Sequence, residues 1–154
     1  MDDFALARAL HVAGVVLWIG GVALVTTVLL PVFRRKSDPG EAFSLFHTTE
    51  KAFIWQARFT TLITGLSGFY MLHTLDAWNR YQSGEYWWVH LMTFIWVIFS
   101  LVMFVLEPFV LPRFIGGKVS ANPALALKRV HLAHWILTLL SLTAVISAVY
   151  GVHS

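Results

Sequence analysis

The chain has 154 residues, of which 58% are hydrophobic and 12% are charged, whereas an ordinary soluble domain is about 25% charged. This composition indicates an integral membrane protein with a single domain and no room for a separate soluble one. The small net charge of +3 argues against a nucleic-acid partner, and the lack of cysteine excludes disulfides, iron–sulfur clusters and thiolate-ligated haem.

The first apolar run, Phe4 to Val32, is about 29 residues long and exceeds the roughly 20 that a transmembrane helix needs. Within it His11, Gly14, Trp18 and Gly21 follow at spacings of 3, 4 and 3 residues. These spacings place the four residues in one stripe of a helix. The stripe therefore carries an imidazole inside the bilayer, where an ionisable group needs a partner or a function.

Three further segments read as helices in chain order. They cover about 41–75, including a cytoplasmic extension before Ala52, then about 86–111 and about 130–152. Polar loops are expected over Asp76 to Glu85 and over Arg113 to Arg129. The predicted fold is all-α: an integral membrane, up-down bundle of four transmembrane helices that forms one domain over residues 1–154.

The positive charges predict the orientation. Nine of the 11 Lys and Arg residues lie in or near the loops after helices 1 and 3, while Arg8 and Arg80 lie on the other side. The Arg34 to Lys36 cluster should therefore face the cytoplasm and both termini the periplasm of a bacterial inner membrane. Asp2 and Asp3 are not typical of a cleaved signal peptide, so none is expected. The sequence is compatible with a homo-oligomer and does not specify the number of subunits.

Three histidines are predicted to share one depth. With 1.5 Å per helical residue, His11, His73 and His90 fall roughly 10 to 14 Å above the membrane midplane on the periplasmic side. Three helices thus bring one imidazole each to one level, which indicates a shared metal ligand. Neutral imidazole binds haem iron, copper and zinc alike, so the residue type alone does not identify the metal.

The neighbours of His11 favour haem b. Gly14 and Gly21 leave space for a flat macrocycle, Trp18 offers an aromatic wall, and Arg8 is placed to pair with a propionate. We expect a histidine-ligated haem in an electron-transfer or oxidoreductase protein, with a redox partner or quinone. In a square bundle helices 1 and 3 face each other, which predicts axial ligation by His11 and His90. His73 would replace one ligand or bond a propionate.

A second polar layer is predicted on the cytoplasmic side. His131 and His134 are candidates for a second haem or a hydrated site. Arg58 must find an anion, and Glu107, a propionate or a quinone-like ligand is a candidate. The remaining histidines, His47 and His153, are expected at the interface, without ligands.

Two segments resemble a known family. Ala9-Leu10-His11 with Trp18-Ile19-Gly20-Gly21 is similar to the start of copper-resistance D membrane domains and of HemJ-type protoporphyrinogen oxidases. The run Ala57-Arg58-Phe59 leading to Thr64-Gly65-Leu66 also resembles the copper-resistance D pattern. This resemblance implies either copper passage across the inner membrane or haem-linked redox chemistry, with His11 functional in both. Copper transport is the alternative function, and an accessory membrane subunit is a third.

Overall fold

The computed structural model describes residues 3–110 and 122–153. Within these ranges the regular structure is helical, with no strand. Four long helices are α1 (Asp3–Arg34), α2 (Pro39–Thr74), α3 (Trp87–Leu101, continued by a π-helical segment Val102–Val110) and α4 (Pro123–His153). The all-helical prediction is confirmed for the described part of the chain.

The helix bounds agree with the sequence pattern except at the start of α4. This helix begins at Pro123 and not near 130, so the predicted loop is shorter at this end. Proline suits the first position of a helix, and the preceding Asn122 side chain accepts a hydrogen bond from the Leu125 N–H at 3.0 Å. The predicted end of the third helix at 111 and the predicted loop over 113–121 lie outside the described residues.

Three helical stretches are long and apolar enough to cross a membrane: Asp3–Arg34, Gly84–Phe109 and Pro123–Gly151. Helix α2 has 36 residues but is richer in threonine and serine, and it is not among these three. Its C-terminus closes in a Schellman motif, in which Ala77 N–H bonds to Leu72 carbonyl at 2.9 Å and Asp76 takes a positive φ of 49°.

The four helices pack antiparallel to their neighbours in chain order. Helices α1 and α2 run in opposite directions, because His11 contacts Gly68 whereas Gly21, later in α1, contacts Phe53, earlier in α2. We call the end that holds the start of α1 and the end of α4 the terminal end. The opposite end, which carries Arg34, is the basic end.

The centre of the bundle is an apolar cluster contributed by α1, α3 and α4. Trp18 packs edge-on against Phe99 with ring centroids 4.8 Å apart. Ile19, Ile95 and Ala144 belong to the same buried cluster. A second buried cluster at the basic end closes the bundle there, with Leu30, Ala42, Phe46 and Leu127.

Helix α1 widens into a π-helical segment at Val25–Leu29, where the Leu30 N–H bonds to the Val25 carbonyl five residues earlier. The residue five positions after Thr26 is Pro31, which has no N–H to donate to the Thr26 carbonyl. The carbonyl of Thr26 is therefore free to accept from a side chain. It does so from the Nε2 of His131 at 3.0 Å.

Helix α3 repeats this arrangement in its π-helical segment Val102–Val110. The Met103 carbonyl stands five residues before Pro108, which again lacks the N–H that a π-helical bond requires. Arg58 Nε on α2 donates to this carbonyl at 3.1 Å. Each π-helical segment thus exposes one carbonyl oxygen inside the bundle.

Candidate functional site

A cavity of about 410 Å³ lies between the four helices towards the terminal end. Its volume falls within the roughly 300–1,000 Å³ of typical small-molecule pockets. The wall is mostly apolar. The side chains most able to recognise a ligand are aromatic or basic: Arg8, His11, Trp18, Phe69, Arg80, Trp88 and Trp96.

The His11 imidazole forms part of this wall. Its Nδ1 lies 2.8 Å from the carbonyl oxygen of Thr64 on α2. Because a carbonyl oxygen only accepts, this bond requires a proton on Nδ1 and leaves a lone pair on Nε2. Metal-binding histidines commonly have this arrangement, with the second ring N–H held by a carbonyl or carboxylate. In its neutral form His11 therefore keeps Nε2 available to a ligand.

Glycines allow α1 and α2 to approach closely around His11. A Cβ on Gly68 would lie 3.1 Å from the His11 Cε1, and one on Gly14 would lie 3.3 Å from the Thr60 carbonyl oxygen. Both contacts are tighter than ordinary packing. Gly14 thus faces α2, beside the cavity wall and not within it, and serves the packing that holds His11 against Thr64.

Two guanidinium groups contribute to the cavity wall. Arg8 is exposed near the start of α1, and Arg80 lies over the Tyr86 ring at 5.3 Å from its centroid. Within the described residues neither arginine has a carboxylate within 4.0 Å. The apolar cavity therefore carries two positive charges that no carboxylate of the described residues neutralises.

The other two histidines of the predicted trio do not line this cavity. His73 is exposed near the end of α2. His90 is also exposed, and its two ring nitrogens lie 3.2 Å from the carbonyl oxygens of Tyr86 and Tyr81. In the described part of the chain no group of three or more His, Asp or Glu side chains is placed to hold a metal ion. The structure does not bring the three imidazoles together.

In the basic half, Arg58 and Glu107 form the ion pair that the sequence analysis considered. Arg58 Nη2 lies 2.8 Å from Glu107 Oε2, and 20% and 27% of the two side chains remain exposed. The guanidinium also lies 5.6 Å from the centroid of the Trp55 ring. The charge of Arg58 is thus balanced by the protein itself.

His131 and His134 occupy different environments. Arg34 Nη1 donates to His131 Nδ1 at 2.9 Å, while His131 Nε2 donates to Thr26, so both of its ring nitrogens are occupied. His134 Nδ1 donates to the Val130 carbonyl at 3.0 Å. His134 and Glu50 line a second cavity of about 80 Å³. These contacts do not support the predicted second haem. Both ring nitrogens of His131 are already hydrogen-bonded, and the cavity beside His134 is too small for a macrocycle.

Arg8, His11 and Trp18 were predicted from the sequence and line the cavity, whereas Arg80 and the contribution of Thr64 were not predicted. Arg80 belongs to a segment that was predicted as a polar loop. The feature that could have identified it is its position as an isolated cation close to the aromatic residues at the start of the third helix. The Thr64 contribution comes from a backbone carbonyl. No residue pattern encodes such a group. The side chain of His153 is outside the described residues, and His47 Nδ1 lies 3.9 Å from Glu50 Oε2 on an exposed surface.

Comparisons with models of protein families, with curated proteins and with solved structures found no match to this chain. The interpretation of the cavity therefore depends on its geometry and chemistry.

Proposed function

We propose that this chain is a multi-pass membrane protein that binds haem b in the cavity near the terminal end, with His11 as an axial ligand. Its role would be electron transfer or an oxidoreductase reaction in the bilayer. The single observation that carries the proposal is the His11–Thr64 hydrogen bond, which leaves His11 Nε2 as a free electron-pair donor beside an apolar cavity.

The membrane location is supported by three long apolar stretches and by the outer face of α2. Large apolar side chains recur along this face, with Trp55 73% exposed and Leu66 70% exposed, and Phe59 and Leu62 lie between them at helical spacing. An apolar face of this extent needs a lipid or protein cover. Because Arg58 is paired with Glu107, α2 carries no uncompensated charge there and is proposed as the fourth span.

The orientation follows from the charge distribution. Arg34, Arg35 and Lys36 gather at the basic end, which we place on the cytoplasmic side. The cavity with His11 then lies towards the periplasmic side of the inner membrane, as do both termini. This placement would let a periplasmic or lipid-soluble redox partner approach the site.

Two features of the cavity support haem binding. Its wall is apolar and includes the rings of Trp18, Phe69 and Trp96, which suit a flat macrocycle. Arg8 and Arg80 supply two cations that have no carboxylate partner among the described residues, which suits two propionates. Burial in such a wall and the hydrogen bond on the axial imidazole are the means by which a protein sets a haem potential.

The bound haem would supply one-electron chemistry. The chain would contribute binding and orientation: His11 holds its position through Thr64, and Arg8 and Arg80 would bind the carboxylates of the haem. The apolar wall would give the haem a mostly apolar environment. In this arrangement His73 and His90 are not required as ligands, because neither lines the cavity.

Copper transport remains the second candidate because Met71 and Met92 line the same cavity as His11. Thioether and imidazole nitrogen together suit Cu(I). The two candidates differ in composition: copper would appear in elemental analysis of the purified protein without a haem spectrum.

The test is the visible spectrum of detergent-purified protein from cells supplied with haem precursor. We expect a Soret band in the wild type and its loss in His11→Ala, since the axial imidazole is removed. His47→Ala serves as the matched control and should keep the band, as should His73→Ala and His90→Ala. A colourless wild-type protein that takes up no added haem would refute the proposal.

A further inference from the structure

The basic end holds two cationic segments side by side. One is Arg34 to Lys36 at the end of α1, and the other is Lys128 and Arg129 in the first turns of α4. Leu30 and Leu127 pack in the same buried cluster. The hydrogen bond of 2.9 Å from Arg34 Nη1 to His131 Nδ1 then fixes the two helices against each other.

Most of this charge has no counter-ion. Lys36 pairs with Glu41 at 3.3 Å, but the partner of Arg34 is a ring nitrogen of His131, which accepts a hydrogen bond from the guanidinium and carries no negative charge. Among the described residues no carboxylate lies within 4.0 Å of Arg34, Arg35, Lys128 or Arg129. These like charges repel one another unless an anion lies between or beside them.

Lys128 is the cation of α4 that shares a helix face with His131. It precedes His131 by three residues and therefore lies on the same face of α4, one turn nearer the end. Because Arg34 bonds directly to His131, Lys128 and Arg34 flank one surface. Arg35 follows Arg34 at the end of α1 and is exposed.

Exposed apolar side chains adjoin these cations on both helices. Val32 of α1 is 51% exposed, and Leu132 and Ile136 of α4 are 62% and 51% exposed. They follow the basic residues towards the middle of the bundle. A molecule with an anionic head and apolar chains matches this surface, whereas a soluble anion would use the charges alone.

We propose that this surface of α1 and α4 binds an anionic phospholipid, with its phosphate held by Arg34, Arg35 and Lys128 and its acyl chains against Leu132 and Ile136. The inference rests on the proposed membrane location. It is independent of the haem proposal, since the cavity with His11 lies towards the other end of the bundle.

The test measures lipid binding to the detergent-purified full chain by native mass spectrometry, with phosphatidylglycerol and phosphatidylcholine of equal acyl composition. We expect tighter binding of phosphatidylglycerol, and a loss of about five-fold in that affinity for Lys128→Gln, because each cation near an anionic lipid surface contributes about this factor. Arg35→Gln should give a similar loss. Lys51→Gln, which removes an exposed cation from α2, is the matched control and should bind as the wild type does.

Equal binding of the two lipids would overturn the inference, as would the same loss in Lys51→Gln as in Lys128→Gln. Inorganic phosphate that competes with phosphatidylglycerol at equal concentration would also overturn it, because the apolar flank would then contribute nothing. Carbonate extraction of cell membranes distinguishes the failure of this inference from the failure of the proposed membrane location. If the chain is released from the membrane, the membrane location itself is wrong. If the chain is retained but shows no lipid preference, only the proposed lipid-binding surface is wrong.

Discussion

His131 Nε2 donates to the carbonyl oxygen of Thr26 at 3.0 Å, although 105 positions separate the two residues in the chain. Pro31 makes the bond available, because it removes the backbone donor that a π-helical register would offer this carbonyl. The same relationship recurs between Arg58 and Met103, with Pro108 as the missing donor. Two side chains that would be costly in a bilayer are thus held by backbone oxygens.

Replacing His131 should destabilise the bundle. His131→Ala leaves the Thr26 carbonyl without its buried side-chain donor, and an unsatisfied buried group costs about 1–3 kcal/mol. Arg34 is exposed and can turn to water, so its lost bond adds little to this cost. We expect a lower unfolding temperature in detergent, measured by fluorescence or by loss of the monodisperse peak on heating. His47→Ala, at an exposed position, should change it little. Equal effects of the two substitutions would contradict the role of His131.

Two glycines of α1 should respond oppositely to alanine. A Cβ on Gly14 meets Thr64 Oγ1 and the Thr60 carbonyl of α2, whereas a Cβ on Gly20 meets nothing within 4 Å. Gly14→Ala should therefore cost about 1–3 kcal/mol by overpacking and weaken ligand retention at His11. Gly20→Ala should be neutral or stabilise the helix by roughly 0.5–1 kcal/mol. Thermal unfolding of both variants measures these changes. An unchanged unfolding temperature in Gly14→Ala would contradict the prediction, because it would show that α1 and α2 can move apart to accommodate the added methyl group.

The Arg58–Glu107 pair should behave as a unit. Glu107→Gln leaves Arg58 without its charge partner. Because 20% and 27% of the two side chains remain exposed, the loss should stay below the roughly 3–5 kcal/mol of a fully buried pair. The double variant Arg58→Met with Glu107→Gln should lose less, because no unpaired charge remains, and Arg58→Met alone completes the cycle. A double-mutant cycle on unfolding in detergent measures the coupling. Additive losses would mean that the two groups, 2.8 Å apart, do not stabilise each other.

Glu50 should make stability depend on pH. It precedes the apolar part of α2 and lines the smaller cavity. Although 40% of its side chain is exposed, desolvation of the carboxyl group, with a smaller contribution from the charge of Glu107, raises the pKa of Glu50 from 4.5 to about 7. The folded state thus holds this proton more tightly than the unfolded chain does. Its stabilising contribution is full below pH 4.5 and is lost as the pH rises through about 7.

We therefore expect Glu50→Gln to flatten the pH dependence of the unfolding temperature across this interval and to exceed the wild type on its alkaline side. Glu85→Gln, at an exposed position near the terminal end, is the control and should keep the wild-type profile. An unchanged profile in Glu50→Gln would assign the dependence to another group.

Much of the helix plan was predictable from the sequence because it depends on local patterns. Long apolar runs predict where the helices lie. Helix α2 begins at Pro39 with Asp38 as its cap, and it ends close to the polar residues that follow Leu75. The start of α4 was misjudged because Gly116, Gly117 and Pro123 were interpreted as loop residues. Proline is, however, favourable at the first position of a helix, and Asn122 caps the helix by accepting from the Leu125 N–H.

The sequence by itself determined that the chain is helical and apolar, and that His11 shares a stripe with Gly14 and Trp18. Periodicity and composition act within one helix, so one chain suffices to read them. Only the tertiary structure decided that Arg80 lies with His11 in one cavity while His73 and His90 lie outside it. Equal depth along the bundle axis does not fix the rotation of a helix, and rotation is set by close packing at positions such as Gly14 and Gly68.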